Sequence, residues 1–390
     1  MLETITNTPR DYAWGSHTLL AGLEGRPASD APEAEVWFGD HPGSPAVLPD
    51  GETLPELEDR LGLPHLPYLL KLLAAQTPLS IQVHPTLEQA RVGFAAEADL
   101  AADSPERNYR DANHKPELIV ALSDRFEALC GLRPVSDTRR LLDVLGGPDA
   151  FAQLRAHLSG SDDAQALSQT IGWLLSGAAA DTVAEVSAAL AAADAEGEYA
   201  GTVSAGARIA ALYAGDPGIV VALLMNHVVL TRGQAVYLRA GLLHAYLSGL
   251  GVEIMAASDN VLRGGLTPKR VDVAELLSLL DSEPGPVAIR EAVPDPTSPG
   301  VLTYGPGVGD FALAVARPDG GSLTFDGAGP TIFLATAGKV SIAADDHRVD
   351  LVPGGAAILL DEPGAVRIAG AGEVFIATPG SDRSQRGRSA

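Results

Sequence analysis

The run Ser80-Ile81-Gln82-Val83-His84-Pro85 sets an amide and an imidazole two positions apart. In an extended strand alternate side chains share a face, so Gln82 and His84 project together while Ile81 and Val83 face the other way. An amide oxygen and an imidazole nitrogen on one strand face make half of a metal site. A second segment, Asn113-His114-Lys115-Pro116-Glu117, leads into the apolar Leu118-Ile119-Val120. It holds a carboxylate at the mouth of a strand behind a proline, which suits a hard metal ligand. A third segment, from Gly251 to Lys269, contains Glu253 and the string Asp259-Asn260-Val261-Leu262-Arg263-Gly264-Gly265. An arginine followed by two glycines can approach a ligand closely.

These strings need strands to hold them, and the texture of the chain supplies strands on both sides of a helical block. Up to about residue 133, short apolar runs such as Glu35–Phe38, Tyr68–Leu73 and Leu118–Leu122 are punctuated by Gly and Pro. From about 134 to 218 Ala and Leu recur at three- and four-residue spacing, with Ser136-Asp137 expected as a helix start and Gly146-Gly147-Pro148 as a stop. Strand texture returns at 219–285, where Thr267-Pro268 is expected to open a short helix over 271–280. Residues 281–300, with five prolines, read as a linker. Short strands then recur to residue 380, and the polar tail 381–390 is expected to be flexible.

Composition narrows the function classes. At 390 residues two or three domains are expected, and 46% hydrophobic against 20% charged residues fits a globular chain. The single Cys130 rules out an internal disulfide and a cysteine metal cluster, and it fits a reducing compartment, so the cytoplasm is expected. The start Met1-Leu2-Glu3-Thr4-Ile5 has neither a basic n-region nor an apolar core, and no run of about 18 apolar residues occurs, so neither a secretory signal nor a membrane partner is expected. A net charge of −23 argues against nucleic acid. An acidic protein that binds a phosphate must gather cations against its own field, and three of its four lysines, Lys71, Lys115 and Lys269, lie in or beside these segments.

The stretch from Gly233 through Gly241 and His244 to Ser248 resembles the second motif of cupin β-barrels, G-x5-P-x-G-x2-H-x3-N. Arg239 stands where that motif has proline, and Ser248 where it has Asn. All four segments in this order, with Tyr12-Ala13-Trp14-Gly15 and Glu35-Val36-Trp37-Phe38-Gly39-Asp40-His41-Pro42, resemble the type I mannose-6-phosphate isomerases. The resemblance implies a mainly β fold with a helical insertion: two cupin-like β-barrel or jelly-roll domains plus an α-helical domain. The expected boundaries are 1–133 with 219–285 for a discontinuous catalytic domain, 134–218 for the helical insertion, and 286–380 for a C-terminal β-domain.

The resemblance further implies a zinc enzyme, one ion per chain, that interconverts mannose 6-phosphate and fructose 6-phosphate as a monomer. It places the metal on Gln82, His84, Glu117 and His244, an active-site arginine at Arg263, and substrate phosphate near Lys71 and Ser80. His114 is a further substrate contact. The proton shuttle is open among Lys115, His114, Glu253 and Asp259, with Arg263 and Lys115 expected as the essential pair outside the metal. Aldose–ketose isomerisation through a cis-enediol needs a Lewis acid and a shuttle, and a neutral Gln ligand leaves the ion more acidic than a second carboxylate would. Two nitrogens and two oxygens do not by themselves select zinc over Mn, Co or Fe. Two other readings share these residues: a metal-binding cupin that senses sugar phosphates without catalysis, and an isomerase of another phosphorylated aldose. No Gly-rich nucleotide-binding segment points to a second, nucleotidyl-transferring activity.

Overall fold

The computed structural model describes residues 1–194, 196–305, 307–326, 329–360 and 365–380. The tail expected to be flexible, 381–390, lies outside the described residues. The fold is mainly β, with two antiparallel sheets and a block of helices. The strands of the first sheet used below are β2 (Glu35–Phe38), β3 (Tyr68–Ala75), β4 (Gln82–Val83), β5 (Glu117–Ala121), β6 (Phe126–Leu132), β7 (Met225–Leu230), β8 (Ala235–Leu238), β9 (His244–Ala256), β10 (Leu262–Arg263) and β11 (Ile289–Arg290). The second sheet takes the chain's first strand, β1 (Leu2–Ile5), together with strands from Val293 to Thr378.

The long strand β9 organises the first sheet. Its beginning pairs with β4 and β6, and its end pairs with β3 and β5. The two halves fold over a shared interior core that includes Leu73, Ile119, Ala128, Val236 and Tyr246. The outer face of the β3–β5 half carries Leu70, Leu72, Leu118 and Ile254, which pack on Leu313, Ile332 and Phe375 of the second sheet. The outer face of the β4–β6 half carries Ile81, Val83, Leu129 and Leu247, which share one core with Leu141, Ile171 and Val221 of the helical block. Both faces are therefore buried, and all eight residues of β3 are inaccessible. This is why its sequence reads as an apolar run, broken only by Lys71, and not as an alternation.

Ile81 and Val83 face the helices while Gln82 faces inward, as strand alternation requires. Between β6 and β7 run the helices Val135–Gly146, Ala152–His157, Asp163–Leu175, Ala180–Ala192, Ala200–Leu212 and Gly218–Leu223. No single helix among the described residues is long and apolar enough to cross a membrane; Asp163–Leu175 and Ala180–Ala192 meet at 98° and bury Leu167, Ile171, Val186 and Leu190.

Several local expectations need correction. The first helix of the block begins at Val135, with Pro134 at its cap, so Ser136 and Asp137 lie inside the first turn. The later helix spans Val273–Leu279 and is capped by the Asp272 side chain, which accepts from the Glu275 N–H, not by Thr267-Pro268. A proline fixes φ, but it offers no acceptor for the free N–H groups of a first turn, and Asp272 does. The proline-rich 281–300 segment is more than a linker: β11 joins the first sheet through β8, and Val293–Pro294 joins the second. The second sheet also has strands far longer than expected, Thr331–Ala344 and Val366–Thr378. Their small residues Ala337, Gly338, Gly370 and Gly372 masked the alternation.

Candidate metal centre and active site

Three side chains converge inside the folded first sheet. His84 follows β4, Glu117 opens β5 and His244 opens β9. His84 Nε2 lies 3.3 Å from Glu117 Oε1, and His244 Nε2 lies 3.4 Å from Glu117 Oε2. A tetrahedral ion with bonds of about 2.0 Å separates its ligand atoms by about 3.3 Å. Each imidazole is oriented through its other nitrogen: His84 Nδ1 is 2.7 Å from the Asn260 carbonyl, and His244 Nδ1 is 2.9 Å from the Leu242 carbonyl. A carbonyl oxygen can only accept, so both Nδ1 atoms carry the hydrogen and both Nε2 atoms present a lone pair. His84 Nε2 is fully buried and has no hydrogen-bond partner among the described residues. A buried nitrogen left unpaired opposite a carboxylate is what a cation would satisfy. Burial pushes His84 down to about 4, which keeps it neutral.

Gln82, on β4 two residues before His84, lines the same cavity. It is the direct cross-strand partner of His244 on one side and of Arg263 on the other. Directly paired residues share a face, so the three side chains form a row. The Gln82 Nε2 donates to Ser80 Oγ at 3.2 Å, which turns its oxygen free for other use. Ser80 thus orients a candidate ligand.

The rim of this small cavity, about 60 Å³, includes Lys71, Ser80, Gln82, Lys115, Glu117, His244 and Glu253. Lys115 Nζ sits 3.0 Å from Glu117 Oε1. Although burial works to raise Glu117, the Lys115 ammonium holds its carboxyl well below the usual range. Lys71 Nζ is 3.3 Å from Glu253 Oε2 and 3.8 Å from Glu35 Oε1, and it lies over the Trp37 ring. Burial opposes its charge, yet the carboxylates of Glu35, Glu253 and Glu117 raise its pKa above the ordinary lysine value. Burial pushes Glu253 upward, partly offset by Lys71, and the Tyr246 hydroxyl donates to its Oε1 at 2.7 Å.

One local irregularity allows His244, Tyr246 and Glu253 to share a cavity although they come from one strand. Strict alternation would send residue 253 to the face opposite 244 and 246. Between Glu127 and Ala128 the β6–β9 register jumps from Ser248 to Tyr246, so Leu247 is an extra residue on β9. A one-residue bulge inverts the alternation beyond it. Gly249 follows at φ +123°, where a Cβ would come within 2.7 Å of the Phe126 ring.

The unusual Arg239 leaves the turn before His244 intact. Gly241 holds φ +79°, and its N–H donates to the His84 carbonyl at 2.9 Å, which ties the turn to the other ligand strand. Arg239 pairs with Asp281, and the Asp281 N–H donates to the Gly241 carbonyl at 2.9 Å.

Arg263 and Asp259 line an adjoining cavity of about 550 Å³ with Arg110, Lys269 and Arg270. Arg263 has no carboxylate partner among the described residues; burial first, and then Arg110, lowers its pKa. Lys269 is lowered by Arg263 first, then by burial and Arg110. Asp259 is more exposed and bonds His41, whose Nε2 is 3.0 Å away. His114 is not part of either cavity: its Nε2 is 3.0 Å from both carboxylate oxygens of Asp310. Lys71, expected beside a phosphate, is instead enclosed by carboxylates.

The residues the sequence reading passed over do supporting work. Glu35 and Trp37 carry no role in the sequence motif that contains them, yet they flank Lys71, and the Trp37 indole donates to Glu35 at 2.8 Å. Their i, i+2 spacing on a strand was the available signal. Asn260 is fully buried; besides its carbonyl to His84, its amide donates to the Asp111 and Asn113 carbonyls at 2.8 Å each, and its Oδ1 accepts from the Arg110 N–H at 2.7 Å. It couples the loop before Lys115 to the first histidine. No local signal in the sequence marks that contact across about 150 residues.

Comparison with known proteins places the chain in a family. Residues 2–135 match the family model described as phosphomannose isomerase type I, catalytic domain. The mannose-6-phosphate isomerase of Salmonella typhimurium is 34% identical, with 96% of this chain and 98% of that protein covered. The one from Bos taurus is 33% identical over 78% of this chain and 79% of its own. A zinc-bound crystal structure of mannose 6-phosphate isomerase superposes with a TM-score of 0.86 at 32% identity, covering 97% of this chain and 100% of that one.

Proposed function

Because the chain belongs to the type I mannose-6-phosphate isomerase family, we propose how its own residues carry out the family's reaction. The activity is the reversible isomerisation of mannose 6-phosphate and fructose 6-phosphate, and the cofactor is zinc. The reading of a sensor without catalysis gives way to that of an enzyme.

The fit of His84, Glu117 and His244 to a tetrahedral ion, with Gln82 in register beside His244, is the observation that supports the site assignment. When bound there, zinc supplies Lewis acidity toward the sugar's carbonyl and hydroxyl oxygens. The chain's own groups do the rest. Asn260 and Leu242 fix the histidine rings through their carbonyls, and Ser80 fixes the Gln82 amide. Of the four candidates for the proton, Lys115 and Glu253 line the inner cavity, while His114 is occupied by Asp310 and Asp259 by His41. We therefore assign proton movement between C1 and C2 to Lys115 Nζ and the Glu253 carboxyl. Glu35, Trp37 and Tyr246 position Lys71 and Glu253.

The phosphate goes to the adjoining cavity and not to Lys71. Arg110, Arg263 and Lys269 stand together there in a chain of net charge −23, and their mutual repulsion falls when a dianion binds. Arg263 lines this cavity and stands beside Gln82 in register, so its guanidinium can face charge on the phosphate or on the enediol oxygens.

The finer architecture follows the same reading: a cupin-like catalytic domain from 1–133 and 219–285, a helical insertion over 134–218 and a cupin-like C-terminal domain from 286. The sharing of β9 between two sheet halves around an interior core supports it. We read the enzyme as a monomer, and its single buried, free Cys130 accords with a cytoplasmic setting. A coupled assay tests the function: chelation abolishes turnover of mannose 6-phosphate and added zinc restores it. Full turnover by metal-free protein would defeat the mechanism.

A further inference from the structure

Outside the catalytic cavity, one other group of side chains among the described residues brings metal-binding atoms together. Asp40 lies just after β2, Glu58 on the helix Leu54–Leu61, and His65 in the loop before β3. One ligand atom from each lies within 4.8 Å of the other two. His65 Nδ1 is 3.0 Å from Glu58 Oε2 and 3.2 Å from Asp40 Oδ2. These spacings are close to those between the histidines and Glu117, and all four lie within a few tenths of an ångström of the edge of about 3.3 Å expected around a tetrahedral ion.

A second observation makes this more than an acidic cluster. The Glu58 side chain is only 1% exposed, and its Oε1 has no hydrogen-bond partner among the described residues. One imidazole N–H cannot serve two carboxylates, so the buried oxygen is left without a donor. Asp40 is better anchored, since its Oδ2 also accepts the Leu66 N–H at 2.9 Å. The cluster opens to solvent through His65, 64% exposed, and onto a cavity of about 510 Å³ that Asp259 also lines. An ion entering there would meet two carboxylates and an imidazole and keep water in its remaining position. Burial, opposed by the His65 hydrogen bond and reinforced by Asp40, pushes Glu58 up to about 7, so a proton is the competing occupant.

We propose that Asp40, Glu58 and His65 form a second divalent-cation site of the zinc class, separate from the catalytic one. Bound there, the ion ties the helix Leu54–Leu61 to the turn after β2 and to the loop that leads into β3. Its role is to hold the wall of that cavity of about 510 Å³, which Asp40 and His65 line, and it takes no part in the isomerisation.

Equilibrium dialysis of the full chain against zinc, with bound metal counted by mass spectrometry, tests this on wild type, His65→Ala and Asp40→Asn. His65 is exposed, so its replacement leaves the fold intact; Asp40→Asn is the second probe of the same site. Wild type is expected to hold one zinc more than either variant, with affinity at the second site falling at least ~100-fold, beyond what loss of an outer-shell partner costs. Turnover with mannose 6-phosphate should stay at the wild-type level in both variants, which separates this site from the catalytic one. Equal zinc counts in all three proteins would overturn the proposal and leave a shared proton as the occupant. So would loss of turnover in step with the lost ion.

Discussion

Gln82 sits between Arg263 on one neighbouring strand and His244 on the other, so a neutral amide separates the guanidinium from the metal ligands. A carboxylate in its place would pair with Arg263 and draw it from the substrate. The position therefore favours an amide on two counts: the acidity of the ion and the freedom of the arginine. Arg263→Ala should lower kcat by about 10²–10³, the usual cost of removing one donor that meets charge in the transition state. Zinc content should remain unchanged, because Arg263 is no part of the donor set. A coupled kinetic assay beside metal analysis checks both, and an unchanged kcat would contradict the role. Sequence spacing alone paired Gln82 with His84, since both face inward from one short strand. It could not pair Lys71 with Glu35 and Glu253, because that contact depends on which strands lie side by side. Lys71 next to the Gln82 segment looked like a phosphate ligand for that reason, and the register of β2, β3 and β9 turned it into a buried ion-pair centre.

The strand β9 delivers three groups to one cavity only because Leu247 is extra and Gly249 takes a left-handed conformation. Gly249→Val should destabilise the zinc-loaded protein by about 1–3 kcal/mol, through backbone strain and the contact its Cβ makes with Phe126. Urea unfolding measures this. A change within ~0.5 kcal/mol, the range of an ordinary surface substitution, would show that the bulge tolerates a side chain. Turnover should fall as well, because a relaxed bulge rotates Glu253 out of the cavity. Here the limit of sequence reading has a physical cause. Apolar periodicity located β9, yet a bulge changes the phase of the alternation without changing composition. The helical block was legible because its three- and four-residue spacing survives at the surface. The strands Thr331–Ala344 and Val366–Thr378 were only half legible, since Ala and Gly fill their middles.

Across the whole molecule the first sheet is held between the helical block on one side and the second sheet on the other. Glu127 on β6 fastens the helices to the sheet. Its buried carboxylate takes Arg208 from the helix Ala200–Leu212 as well as Arg125. Burial alone would raise it, but His227, Arg208 and Arg125 bring it down to about 2. A carboxyl depressed in the folded state contributes its stability above the unfolded pKa of about 4.3 and loses it as pH falls toward the folded value. Glu127→Gln should therefore cost about 1–3 kcal/mol at pH 7, and the gap to wild type should close between about pH 4.3 and 2. Denaturant unfolding at several pH values reads this; a gap that does not narrow in acid would remove the ion pair as the cause. The mainly β character and the segments that converge on one cavity were thus legible in the chain alone, whereas the contacts that join layers were not, because they link residues far apart in sequence. The catalytic centre is reached most directly by anomalous diffraction at the zinc edge from crystals of the zinc-loaded enzyme. One strong peak is expected among Gln82, His84, Glu117 and His244, within about 2.0–2.2 Å of a donor atom from each. Zinc-replete, active enzyme without a peak at that position would contradict the assignment.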